Sequence, residues 1–225
     1  MSHYAVAVFD DNGEFNHLLE PYNENNKRYY EFVPVKYEDI VSDFESFQRR
    51  NKNWTLEMYI QDFGYFQKDG QWGYEHNPNG YWDWYTLDGR SYLYDPVDGF
   101  EPEEGQEDYR KKDLNWYPNT SDDAEEAAEF WEEFVENEND EIESFWNRNY
   151  YRDRYKTKEQ YVREMSRVVP YAFITPDGVW HSPGRVGWFA CSDETAEDWE
   201  RYIKEWDEWI ANDANPYVSL VDCHI

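Results

Sequence analysis

HYAVAVF, residues 3–9, is the stretch from which the fold is read. Val6, Val8 and the rings of Tyr4 and Phe9 favour extended backbone, and apolar side chains fall on both faces of the alternation. A strand that is apolar on both faces belongs inside a sheet. Asp10-Asp11-Asn12-Gly13 is a turn signal that ends it. At the far end, residues 217–225 (YVSLVDCHI) read as another strand. Residues 29–35 read as a strand that Pro34 confines to an edge. Residues 171–180 read as a hairpin around Pro176-Asp177-Gly178, and residues 185–190 as a further strand.

Between these strands the apolar period changes to that of a helix. Ile40, Val41, Phe44 and Phe47 mark a helix over 37–50, and Trp54, Met58, Tyr59 and Phe63 a second over 54–63. Tyr161, Met165 and Val168 share one face of a helix over 157–169. Ser192 or Thr195 caps a last helix, with Trp199, Tyr202, Ile203, Trp206 and Ile210 at core spacing. Strands at both ends and in the middle, with amphipathic helices inserted, give an α+β fold with a mostly antiparallel sheet. The chain reads as a single acidic domain over 1–225, with a helical insertion at about 119–169.

Rings build the core. Twelve Trp, 21 Tyr and 13 Phe make 20% of the 225 residues, which excludes an acidic disordered chain. Against 21 Lys and Arg stand 50 Asp and Glu, a formal charge of -29. Such a field repels nucleic acid and anionic membranes and attracts basic surfaces. Cys191 and Cys223 fit no zinc spacing and no disulfide framework, so a reduced, cytosolic protein is expected, without cofactor or metal. The N-terminus has no basic region and no long apolar run, and no membrane span is expected.

Residues 77–94, NPNGYWDWYTLDGRSYLY, follow a Gly- and Asn-rich stretch (64–80) that reads as a loop or loose hairpin. Trp82 and Trp84 fall on one face of a strand, and Asp88-Gly89 turns it toward Tyr92–Tyr94. With Arg90, the two indoles can stack a base or nucleotide, or they can be core.

Catalytic chemistry has one candidate constellation. His3 and His224 lie on the two terminal strands, Asp222 shares the face of His224, and His181 can join them from the hairpin. Together they offer acid–base groups for a nucleotide- or signal-binding hydrolase. Cys223 and His224 are neighbours on a strand and point to opposite faces, which rules out a dyad. No phosphate loop, dinucleotide fingerprint or nucleophile elbow is present.

Residues 122–143 contain no base. Thr120 or Ser121 caps a helix whose apolar stripe is Ala127, Trp131, Phe134 and Val135. Residues 137–140 break it, and Ile142, Phe145 and Trp146 begin the next apolar face. The opposite side carries Glu125, Glu126, Glu129, Glu132, Glu133, Glu136 and Asp140. Rows of carboxylates of this kind imitate the phosphates of a nucleic acid. The expected partner is a basic nucleic-acid-binding protein or nuclease, with no direct contact to nucleic acid. Arg148, Arg152, Arg154, Lys156, Lys158, Arg163 and Arg167 follow and read as internal neutralisation of the acid block.

HYAVAVF with the following LLEPYNEN, the core NPNGYWDWYTLDGR, the segment TPDGVWHSPGRVGWF and the terminal VDCHI together resemble a widespread family of small phage-encoded proteins. The four motifs span the chain. Where the family turn runs IGGRW, this chain has Leu87-Asp88-Gly89-Arg90-Ser91. The resemblance implies residence in the cytoplasm of an infected bacterium and a counter-defence role of the anti-CRISPR kind. It implies no catalytic residues.

Overall fold

The computed structural model describes residues 3–87, 95–96, 109–116, 121–166, 169–186 and 193–225. The fold is α+β and its sheets are mostly antiparallel. The chain forms two compact units, one of residues 1–19 with 84–225, the other of residues 20–83.

The larger unit is built on β1 (His3–Asp10), whose two neighbours are β11 (Tyr217–His224), antiparallel, and β9 (Ala172–Ile174), parallel. The sheet order is β10-β9-β1-β11-β5, with β10 at Trp180–His181 and β5 at Trp84–Leu87. β7 (Tyr109–Arg110) adds to the other end of β11, and β6 (Asp95–Pro96) pairs with β8 (Leu114–Asn115) in a separate ladder. Among the described strands, β1 with β9 is the one parallel pairing. The double-sided apolar pattern of 3–9 thus has its expected cause: Val6, Ala7, Val8 and Phe9 are 0% exposed.

Ala7 pairs with Leu220 and Phe9 with Val218, so these four share a face with Phe173, the partner of Ala7 on β9. Helix α7 (Ala196–Ala211) covers that face with Tyr202, Ile203 and Trp206. Its start is fixed by Thr195, which accepts from the Asp198 amide at 3.3 Å while the Asp198 carboxylate accepts from the Thr195 amide at 2.9 Å. Residues 109–116 close the cluster from the side. Trp116 lies 5.2 Å from Trp206 and 5.6 Å from Phe9, ring centre to ring centre. On the opposite face, α1 (Asn16–Leu19) contributes the buried Leu18 and Leu19.

A helical layer within the same unit carries the acid block. α4 (Ser121–Phe130) runs into a π-helix over Trp131–Glu136, in which the Asn137 amide donates to the Glu132 carbonyl at 2.8 Å. The wider turn brings Trp131, Phe134 and Val135 into one buried cluster with Tyr155 and Tyr161, and Phe130 packs against it. α5 (Arg148–Tyr155) and α6 (Lys158–Met165) complete it. Arginines close the end of the π-helix: Arg148 Nε donates to the Phe134 carbonyl at 2.7 Å, and Arg152 donates to the Val135 carbonyl. These are the orphan carbonyls of a helix terminus, and cations suit that end of the dipole.

Several expectations need correction here. Residues 137–147 form no helix, and Phe145 and Trp146 are 88% and 50% exposed instead of starting an apolar face. Met165 is exposed as well, because α6 ends there. Val168, Arg167, the strand residues 187–190, Cys191, the Ser192 cap, Thr120, the Asp88-Gly89 turn and Tyr92–Tyr94 lie outside the described residues.

The smaller unit packs α2 (Tyr37–Gln48) and α3 (Leu56–Asp62) around Ile40, Phe44 and Tyr59. Its sheet has the order β2-β4-β3, which leaves β2 (Glu31–Pro34) at an edge, as Pro34 requires. Of the two readings of 64–80, loop or loose hairpin, the hairpin is the one formed, by β3 (Phe66–Lys68) and β4 (Gln71–His76). Asp69 and Gly70 turn it, both at positive φ (52° and 81°), the backbone of a primed two-residue turn.

Candidate functional site

The register of β1 with β11 pairs His3 with His224, and that of β11 with β5 pairs His224 with Trp84. The three rings meet on one face of the sheet. His3 and His224 are 5.0 Å apart, edge to face, and Trp84 stacks on His224 at 4.7 Å and 20°. Two residues before His224, Asp222 returns to the same face, and its carboxylate lies 3.2 Å from His3 Nδ1. Strand alternation alone produces this grouping. His224 is buried, whereas Trp84 is 42% exposed.

His181 does not join the group. On β10 it pairs with Phe173, which stands opposite Ala7, four register positions from His3. That is roughly 13 Å along the strand, with β9 between. His181 instead stacks flat on Phe173 at 4.4 Å, and its Nδ1 lies 3.1 Å from the Glu205 carboxylate on α7. Its partners explain it as a packed, hydrogen-bonded residue.

The expected pairing of Trp82 and Trp84 on one strand also fails. β5 begins at Trp84, and Trp82 sits in an isolated bridge with Asn23, buried in the smaller unit. A buried indole offers no stacking face. Arg90 lies outside the described residues. Cys223 faces away from His224 and is fully buried; burial, with the Asp222 charge behind it, pushes its thiol well above the ordinary range. Among the described residues, no group of three or more His, Cys, Asp or Glu is arranged to hold a metal ion.

The acid block is the second candidate. Glu125, Glu126, Glu129, Glu132, Glu136 and Asp140 are exposed and Glu133 is half-buried. Part of the row is engaged internally. Lys158 pairs with Glu132, Arg148 with Asp140 at 2.6 Å, and Arg152 with Glu138 at 2.9 Å. Glu136 accepts from Trp131 Nε1 at 3.0 Å, and Glu133 accepts from Asn137 at 3.2 Å and from Asn139 at 3.4 Å. Exposed ion pairs of this kind are worth about 0–1 kcal/mol, so a partner's cations displace them at small cost. Glu125, Glu126 and Glu129 form no ion pair with a described residue and project from α4. Family models, curated proteins and solved structures give no match to this chain.

The spacing on α4 has a physical meaning. From Glu125 to Glu129 the axis advances about 6 Å across the two intervals between three charges, a mean of about 3 Å per interval, at the usual helical rise. The phosphates of one DNA strand are spaced by about 3.4 Å. Beneath the glutamates lies a feature that the sequence reading did not single out, a groove of about 240 Å³ between α4 and α6. Phe130 and Tyr161 line it, with Asp123 and Glu126 beside them. The signal was available as Asp123, Glu126 and Phe130, spaced by three and four residues on one helix face. Among the described residues, no helix is long and apolar enough to cross a membrane.

Proposed function

We propose that this protein is a phage-encoded inhibitor of a bacterial nucleic-acid-handling defence system, such as a CRISPR–Cas effector or a restriction nuclease. It acts by binding a basic protein surface with the acidic face of α4 and the π-helix, as a nucleic acid would, and it performs no catalysis. The observation that carries this reading is the exposed run Glu125, Glu126 and Glu129, which forms no ion pair with a described residue, on a chain of formal charge -29. The phage setting comes from the motif resemblance. Binding of this type is electrostatic, so salt weakens it and duplex DNA competes with it.

The test is capture of basic nucleic-acid-binding proteins from a bacterial lysate on the immobilised protein, at low and at high salt. A nuclease retained at low salt and eluted by duplex DNA is the expected result. Reversal of Glu125, Glu126 and Glu129 to Lys is expected to weaken retention by about tenfold or more. Retention indifferent to both salt and these substitutions sinks the proposal.

A second reading rests on the His3–Asp222–His224–Trp84 group. An imidazole pair oriented by a carboxylate beside a half-exposed indole suits a nucleotide, with the base on Trp84 and proton transfer by His3. In a titration with a nucleoside monophosphate followed by NMR, this reading expects the His3 and His224 ring signals to shift together. Trp84→Ala is expected to abolish the shift. Silent histidines at millimolar ligand exclude the site.

A further inference from the structure

We propose that the groove between α4 and α6 is a receptor for one arginine side chain of the protein partner. This deepens the acidic-surface reading and rests on it, since Glu126 belongs to both.

The groove has a floor and a rim of different chemistry. Its floor is aromatic: Phe130 and Tyr161 lie 5.8 Å apart at 31°, and Tyr161 is held from behind by Trp131 at 5.4 Å. Ala127, small and buried, gives the groove its depth, and Met165, 44% exposed, forms a flexible wall. The rim is anionic. Asp123 and Glu126 are exposed, three residues apart on one side of α4, and neither pairs with a described cation. Burial raises the Tyr161 phenol far above its ordinary value, and the Glu126 charge adds to the effect, which places that carboxylate near the ring. The first turns of α4 oppose a cation with roughly half a positive charge; two full negative charges outweigh it.

Among the described residues, no cation pairs with the carboxylates of this site. Four basic residues of α5 and α6 are committed elsewhere: Lys158 to Glu132, Arg148 to Asp140, Arg152 to Glu138 and Arg154 to Glu194, while Arg163 is exposed on α6. A space of about 240 Å³ floored by rings and rimmed by carboxylates fits one guanidinium group and its stem. The planar, weakly hydrated guanidinium stacks on a ring and bonds a carboxylate at the same time; an ammonium keeps its water and does neither as well. A nucleic acid would bring phosphates against Asp123 and Glu126, and a second copy would bring another formal charge of -29. The charge therefore selects a basic protein.

The test uses the full chain and three labelled peptides that share a lysine-bearing frame and differ at one central residue, Arg, Lys or citrulline. Fluorescence anisotropy is expected to show the Arg peptide bound about tenfold tighter than the Lys peptide, and citrulline weakest. Glu126→Gln and Phe130→Leu are expected to erase the Arg preference. Met165→Lys, at an exposed position that leaves the core untouched, is expected to block the groove and give the same loss in a protein with unchanged circular dichroism. Equal binding of the Arg and Lys peptides overturns the receptor and, if reversal of Glu125 and Glu129 to Lys abolishes it, leaves the acidic-surface reading standing. Absence of binding by either peptide overturns both. Sedimentation showing a dimer that Met165→Lys dissociates assigns the groove to a second copy and overturns the arginine assignment.

Discussion

Replacement of Trp206 by Ala is expected to cost the larger unit about 3–5 kcal/mol, the range for emptying a buried aromatic site. Trp206 is 0% exposed and touches Phe9, Trp116 and Phe173 at centroid distances of 6.2, 5.2 and 5.4 Å. These neighbours come from β1, β9 and the 109–116 segment, so no local shift of one element refills the space. Trp206→Phe separates volume from polarity. The indole Nε1 is buried and has no hydrogen-bond partner among the described residues. Phe loses part of the ring but also removes an unsatisfied donor, so the expected cost falls below about 1.5 kcal/mol. Urea denaturation followed by circular dichroism reads both values. A Trp206→Ala protein as stable as the parent would show that α7 is not the lid of the central sheet.

Lys111→Met is the second large effect, expected at about 2–4 kcal/mol from the acceptors it strands. Lys111 is 2% exposed, and burial pulls its ammonium below the ordinary lysine value, with the Lys112 charge adding to the shift. Its Nζ donates to the Trp209 carbonyl at 2.8 Å, the Asn212 carbonyl at 2.9 Å and the Asn212 side chain at 2.7 Å. Helix α7 has no basic residue in its last turn. Lys111, about a hundred residues away in sequence, supplies the missing cation and satisfies all three of its own donors. Met keeps the stem and removes the charge, leaving three acceptors behind. Hydrogen exchange should accelerate at the amides around Ala211 more than in the middle of α7. Equal acceleration along the helix would mean that the residue acts by packing alone.

Features set by local period were legible in the sequence. The strand at 3–9, the strand at 217–224, the Thr195 cap with the α7 stripe, and the approach of His3, Asp222 and His224 all follow from alternation or helical spacing. What depended on long-range partners was not legible. Residues 131–136 carry no helix breaker and nothing local that marks a π-turn, whose Phe134 and Val135 share a cluster with Tyr155 of α5 and Tyr161 of α6. Phe145 and Trp146 read as core because rings usually are, yet the irregular backbone at 137–147 leaves them outside. The hairpin in 64–80 was legible as an alternative to a loop, but the abundance of turn residues left its turn at Asp69-Gly70 unassigned. His181 was assigned to the histidine group by type, and it took the strand order to place β9 between them. In the acid block the carboxylates and their internal neutralisation by Arg148, Arg152 and Lys158 were legible as a charge reversal, but the individual partners were not, since Lys158 reaches Glu132 from another helix.

The pairing of β1 with β11 also sets an order of events in synthesis. His3 and Asp222, which meet at the end of that ladder, are 219 residues apart in the chain. β1 leaves the ribosome more than two hundred residues before β11, so the apolar strand HYAVAVF waits unpaired on that side until β11 is made. Residues 20–83 have their own sheet and core and can fold during that wait. The larger unit can close only after residue 224 has been made, and that closure brings together residues more than two hundred positions apart. A nascent chain stalled before β11 therefore carries a finished small unit and an open sheet centre, the form in which chaperones would meet it.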